Sequence, residues 1–275
     1  MTTPHIAFIG GGNMAASIIG GLIADGYATD CIHVAEPDAD KRQALATRFG
    51  IHTETDNNAA VARAQAVVLA TKPQVLNEVC AGMADAVQQH QPLIISIAAG
   101  IRSTDIDRWL GGNTAIVRTM PNTPAMVQSG ATGLFANAQV SDTQRELAES
   151  IMRAVGITLW LEDEAQLDAV TALSGSGPAY LFYVMEAMES AGKALGLETN
   201  AARLLAIQTA FGAAKLALES SEDPAILRER VTSPGGTTER ALSVLREGGL
   251  EALFIEALQA ANDRAAELAD QLGAK

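Results

Sequence analysis

Ile6-Ala7-Phe8-Ile9-Gly10-Gly11-Gly12-Asn13-Met14-Ala15 opens the chain on an apolar run that ends in three glycines. His5–Ile9 reads as a short buried strand. Asn13–Asp25 follows with Met14, Ile18, Leu22 and Ile23 at helical spacing. The link between them fits G-x-G-x-x-[GA]. Its first glycine makes the turn, its second admits a pyrophosphate to the backbone, and Ala15 lets the helix pack close to the strand. A helix that starts there offers unpaired N–H groups and the positive end of its dipole to phosphates. The motif follows a strand and opens a helix, which is the context a dinucleotide loop requires.

Further along, apolar runs alternate with helical stretches. Cys31–Ala35, Ala66–Ala70, Leu93–Ile97, Ala115–Arg118 and Ile157–Leu161 read as strands, and Asp38–Phe49 as a polar helix. Strands that are apolar throughout and separated by helices imply a parallel, doubly wound α/β sheet. The second strand runs into Glu36, twenty-four residues after Gly12. An acid there binds ribose hydroxyls and repels a 2′-phosphate. Lys41 and Arg42 could offset that repulsion. The alternative stays open: Glu36 starts a turn before Pro37, and Lys41 and Arg42 are a solvated helix face.

From about Glu164 the strand pattern stops. Leu167–Leu173, Ala179–Leu195, Thr199–Leu218, Pro224–Val231, Thr238–Glu247 and Leu250–Leu272 carry helical periodicity. The expected division is a dinucleotide-binding domain over residues 1–163 and an all-helical domain over 164–275. Two glycine-rich breaks interrupt the helices, Ser174-Gly175-Ser176-Gly177-Pro178 and Thr232-Ser233-Pro234-Gly235-Gly236-Thr237-Thr238. In the second, Gly235, Gly236 and Thr237 can present N–H groups to a carboxylate or phosphate, and Ser233, Thr237 and Thr238 add hydroxyls. An ordinary helix cap accounts for the same residues.

The chain has 275 residues and a formal charge of −13. That charge argues against nucleic acid or an anionic membrane as a partner. Hydrophobic residues at 48% and charged residues at 19% exclude a disordered chain. Cys31 and Cys80 form no C-x-x-C, and no Cys/His cluster has metal-ligand spacing. Residues 1–24 carry no Asp, Glu, Lys or Arg. They lack a basic n-region, and five glycines and Asn13 interrupt them, so neither a signal peptide nor a membrane span is expected. The expected location is the cytoplasm. The four histidines, at 5, 33, 52 and 90, all lie in the first half.

Four elements resemble the pyrroline-5-carboxylate reductase family, and the likeness extends over the whole chain. They are Ile6–Ala15, Ala70-Thr71-Lys72-Pro73, Leu173-Ser174-Gly175-Ser176-Gly177-Pro178-Ala179-Tyr180, and Val231–Thr238, which matches the signature S-P-G-G-x-T. The resemblance implies hydride transfer from a reduced nicotinamide to the ring C=N of 1-pyrroline-5-carboxylate, giving proline. It places Phe8, Ile9, Gly10, Gly11, Gly12, Asn13, Met14, Glu36, Asn57, Ala70, Thr71, Lys72 and Pro73 along the cofactor. Ala98, Ala99, Gly100 and Asn122 border the nicotinamide end. Ser233, Gly235, Gly236 and Thr237, with Ser176, would hold the substrate, and the Thr238 hydroxyl would meet the ring nitrogen as the catalytic group.

NADPH is the cofactor the resemblance implies, and Glu36 admits NADH, since members often carry small hydroxyl residues there. The family also implies a homo-oligomer, a dimer at least and up to a decamer. A β-hydroxyacid dehydrogenase shares the two-domain plan, but its lysine, four residues past the last glycine of a similar stretch, is Leu181 here. A reductase of a different cyclic imine is a nearer rival. A nucleotide sensor without catalysis would be expected to carry a damaged S-P-G-G-x-T loop, and here the loop is complete.

Overall fold

The computed structural model describes residues 3–274. Its strands are β1 (Ile6–Ile9), β2 (Ile32–Ala35), β3 (His52–Glu54), β4 (Ala66–Leu69), β5 (Leu93–Ser96), β6 (Ile116–Met120), β7 (Gly130–Ala136) and β8 (Gly156–Trp160). They form one sheet in the order β3-β2-β1-β4-β5-β6-β7-β8. Ile6 of β1 pairs with Ile32 on one side and Ala66 on the other. The order therefore reverses between β1 and β4, and at such a switch point the strand ends leave a crevice.

β1, β2, β4 and β5 are buried along their whole length. Alternate residues serve opposite faces. Ile6 and Phe8 join Ile18, Ile19, Leu22 and Ile151 in one apolar layer. Ala7 and Ile9 join Leu76, Met83, Val87 and Ile106 in the other. The helices supplying these layers are α1 (Asn13–Ala24), α2 (Ala39–Phe49), α3 (Asn57–Val61), α4 (Leu76–His90), α5 (Ser103–Trp109) and α6 (Asp142–Arg153).

Two strands carry no apolar run and were not expected. β3 is His-Thr-Glu at the sheet edge, where only one neighbour must be matched. β7 contains Gly130 and Gly133, which weaken a strand pattern. Both glycines answer to close packing: an added Cβ would lie 2.8 Å from the Val155 carbonyl oxygen at Gly130 and 3.0 Å from Val170 at Gly133. β7 also departs from an all-parallel sheet, since it runs antiparallel to β6 and parallel to β8. Residues 121–129 are too few for a crossover helix, so the chain turns back beside the strand it has just left.

The remaining elements are α7 (Gln166–Val170), a π turn (Thr171–Gly175), α8 (Gly177–Ala194), α9 (Thr199–Glu219), α10 (Pro224–Arg230), α11 (Thr237–Glu247) and α12 (Leu250–Gly273). The chain divides into two compact units. One holds the described residues up to Ser176 and those from Ala260 onward; the other is Gly177–Gln259. Glu164, where the helical half was expected to begin, is held by the sheet unit. Its carboxylate accepts Arg118 Nη1 at 2.7 Å, the Ser103 N–H at 2.6 Å and the Ser103 hydroxyl at 2.7 Å.

In the second unit α8 packs on α9, where Gly192 leaves room for Ala202: an added Cβ would lie 3.2 Å from the alanine methyl. Phe182, Tyr183, Leu204, Phe211, Leu253 and Ile255 are exposed in the single chain. Among the described residues, α9 alone has the length and composition that would allow a membrane crossing.

Candidate active site

The glycine loop follows β1 directly. Gly10 takes φ +102°, and an added Cβ would lie 2.7 Å from the Ala70 carbonyl oxygen, so no side chain fits there. Gly11 has Leu45 Cδ1 2.6 Å from the same position. Gly12 differs: its backbone is unstrained and an added Cβ would meet nothing within 4 Å. That open space lies at the N-cap of α1, where no side chain caps the helix and no acidic residue stands in the first turn. The loop thus leaves the first N–H groups of α1, at Asn13 and Met14, and an empty approach to them. This is the arrangement a pyrophosphate needs.

Phe8 and Ile9 are buried in the two layers and offer the site only their backbone. Glu36 follows β2 directly and is buried. Its carboxylate accepts the Gly11 N–H at 2.8 Å and the Asp38 N–H at 3.1 Å. Arg42 Nη1 bonds the carbonyl oxygens of Glu36 and Pro37 at 2.7 and 2.8 Å. Glu36 thus braces the turn before Pro37 and the glycine loop together, with the Arg42 guanidinium bonded to the same turn.

The other expected cofactor residues follow adjacent strands. Ala70 and Thr71 leave β4, with the Ala70 N–H on the Ile9 carbonyl at 2.8 Å. The Thr71 hydroxyl oxygen is buried and has no hydrogen-bond partner among the described residues. An orphaned hydroxyl beside the glycine loop fits a ligand that would complete it. Lys72 and Pro73 start a short 3-10 turn. Asn57 is the first residue of α3. Ala98, Ala99 and Gly100 follow β5, and Gly100 takes φ +68°. Asn122 follows β6 and is buried. All of these except Asn57 leave the carboxyl ends of neighbouring strands, where open α/β sheets bind ligands.

Ser176 closes the π turn, its N–H bonding the Thr171 carbonyl at 2.8 Å. In the second unit, Thr237 and Thr238 are the first two residues of α11, and Gly236 is an N-cap without a side-chain hydrogen bond. Gly235 takes φ +71°. The Gly236 N–H turns back to the Ser233 carbonyl at 3.0 Å. A Cβ on Gly236 would lie 2.6 Å from Ser233 Oγ, so the loop closes only with glycine there. Glu239 was not expected at this loop. Its carboxylate accepts the Gly235 N–H at 2.7 Å, so, against expectation, neither the Gly235 nor the Gly236 N–H is open to an anion, and the loop offers the Thr237 N–H at the helix start. The signal was present: a Glu three residues after a helix N-cap is half of a capping box.

Two family models match the chain. One, described as NADP oxidoreductase coenzyme F420-dependent, covers residues 5–100, and the other, pyrroline-5-carboxylate reductase dimerisation, covers 164–268. A pyrroline-5-carboxylate reductase of Pseudomonas aeruginosa is 54% identical over 273 residues, covering 99% of this chain and all of that one. The Pasteurella multocida enzyme of the same name is 44% identical, with 98% of each chain covered. A solved pyrroline-5-carboxylate reductase from Coxiella burnetii shares 49% identity over 97% of this chain and 99% of that chain, with a TM-score of 0.94. A pyrroline carboxylate reductase of Plasmodium falciparum, solved with NADP bound, has the same fold at 24% identity, TM-score 0.85, covering 98% and 99% of the two chains. An open glycine loop at the switch point and an S-P-G-G-T-T helix start, in a chain this similar over its full length, lead to one assignment: the chain belongs to the pyrroline-5-carboxylate reductase family.

Proposed function

We propose that this protein reduces 1-pyrroline-5-carboxylate to L-proline with NADPH. The observation that carries the reading is the Ser233–Thr238 loop, a helix start without a side-chain cap, in a chain 54% identical to a named reductase. NADPH, when bound, supplies the hydride. Gly10, Gly11, Gly12, Asn13 and Met14 hold its pyrophosphate, with the α1 dipole offsetting the negative charge. Glu36 lies at the ribose, Asn57, Ala70, Thr71, Lys72 and Pro73 along the nucleotide, and Ala98, Ala99 and Gly100 toward the nicotinamide.

The Thr237 N–H at the uncapped start of α11, with the Ser233 and Ser176 hydroxyls, receives the substrate carboxylate and ring, while the Gly235 and Gly236 N–H groups hold the loop in shape. A cyclic imine is basic and takes up a proton from water. A strong general acid is therefore unnecessary, and the Thr238 hydroxyl need only orient the ring nitrogen and relay a proton. The rate comes mainly from holding the imine carbon in reach of the hydride. The helical half contains no histidine, which suits this chemistry.

The protein is a homo-oligomer in this reading, a dimer at least and up to a decamer, with the apolar faces of α9 and α12 covered by other copies. It works in the cytoplasm on a small molecule, without nucleic acid or membrane. Incubation with NADPH and pyrroline-5-carboxylate should form proline in equal amount to the NADP⁺ produced. NADPH consumed without proline would send the assignment to another imine.

A further inference from the structure

The side chain of Asn122 is bonded to main chain at both ends of its amide. Oδ1 accepts the Ala131 N–H at 3.0 Å, and Nδ2 donates to the Ser174 carbonyl oxygen at 3.0 Å. An N–H can only donate and a carbonyl can only accept, so the two partners fix which end is which. Ser174 lies in the π turn Thr171–Gly175. In an α-helix its carbonyl would receive the N–H four residues on. That residue is Pro178, which has none. Asn122, fifty-two residues earlier in the chain, supplies the donor that proline removes.

The same turn is seated on the end of β6. A Cβ on Gly175 would lie 2.6 Å from Met120 Cε, so the glycine lets the turn lie against the methionine that ends β6. Ser176 follows, fixed through its N–H to Thr171. π turns inside helices recur at functional sites because they re-aim a few residues at the cost of regular bonding. Here the carbonyl left over is met by the buried Asn122 amide.

We propose that Asn122 is a positioning residue for the reduction: it acts through Ser174 to hold Ser176 in place, and not through contact with the cofactor. This rests on the reduction proposed above. Asn122→Asp keeps the shape and the acceptor for Ala131 but loses the donor to Ser174. It should lower kcat/KM for the imine by about tenfold or more, while Kd for NADPH stays within about twofold of the parent. Pro178→Ala returns an N–H to position 178. In that background Asn122→Asp should cost about twofold or less, because the Ser174 carbonyl has regained a local donor.

Equal losses in both backgrounds would overturn the role, and so would an NADPH Kd that rises in step with the loss of kcat/KM. If Asn122→Asp does not fold, Asn122→Ser, measured with and without Pro178→Ala, puts the same question. A parent protein that binds NADPH and does not reduce the imine would overturn the reduction and this role together. One that reduces it, with Asn122 variants showing no coupling to Pro178, overturns the role alone.

Discussion

The carboxylate of Glu36 reaches back over twenty-five residues of chain to accept the N–H of Gly11 at 2.8 Å. One buried acid thus shapes the glycine loop and sets a negative charge where β2 ends. A 2′-phosphate arriving there meets that charge, and Arg42 offsets part of it from the other side of the turn. Glu36→Ser should raise the ratio of kcat/KM for NADPH to that for NADH by about tenfold, or ~1.4 kcal/mol. Steady-state kinetics with the two cofactors measures it. A ratio that does not move would remove Glu36 from the reading of the ribose.

Gly10 and Gly12 separate folding from binding. Gly10→Ala must place a Cβ 2.7 Å from the Ala70 carbonyl at φ +102°, and it should lose about 1–3 kcal/mol of stability along with NADPH affinity. Gly12→Ala meets nothing within 4 Å. Its melting temperature should stay at the parent value while Kd for NADPH rises, on the order of tenfold, because the new methyl fills the approach to the α1 N-terminus. Unchanged affinity in Gly12→Ala would mean that the pyrophosphate lies elsewhere.

Thr238 is the second residue of α11, and in the proposed reduction its hydroxyl meets the ring nitrogen. Thr238→Ala should lower kcat by roughly tenfold or more with Kd for NADPH unchanged, since the lost contact is made with the reacting ring. Thr238→Ser, which keeps the hydroxyl, should recover most of the rate. A threonine needed only for helix packing would not show that recovery.

A pH dependence arises far from the glycine loop. The His33 ring stacks between His5 and His52, with its Nε2 3.1 Å from His5 Nδ1 and its own Nδ1 buried without a partner among the described residues. Burial first, then His52, His5 and Arg63, holds its pKa below the ordinary 6.5. The unfolded chain therefore takes up this proton at a higher pH than the folded one. The stability that neutral His33 contributes is complete above about pH 6.5 and is lost as pH falls toward the lower folded value. Melting temperatures across that window should decline with acid, and His33→Leu, which cannot titrate, should flatten the decline. Parallel curves for the two proteins would show that other groups set the slope.

Much of this was legible in order along the chain. β1, β2, β4 and β5 announce themselves because burial on both faces demands an unbroken apolar run. The glycine loop is readable because each of its positions has a local steric reason. β3 was hidden because an edge strand of His-Thr-Glu carries no such run, and β7 because Gly130 and Gly133 answer to Val155 and Val170 rather than to their own neighbours. The π turn at Thr171–Gly175 is bonded to Asn122, and Glu36 to Gly11. Such long-range pairs leave no periodic trace. Glu239, three residues from its N-cap, did leave a local one.

NADPH and NADH oxidation, followed with pyrroline-5-carboxylate as the only acceptor and with the product identified, decides whether the protein carries out this reduction. Rapid turnover should form proline mole for mole, with a higher kcat/KM for NADPH. NADPH bound tightly with no oxidation on adding the imine would contradict the reduction.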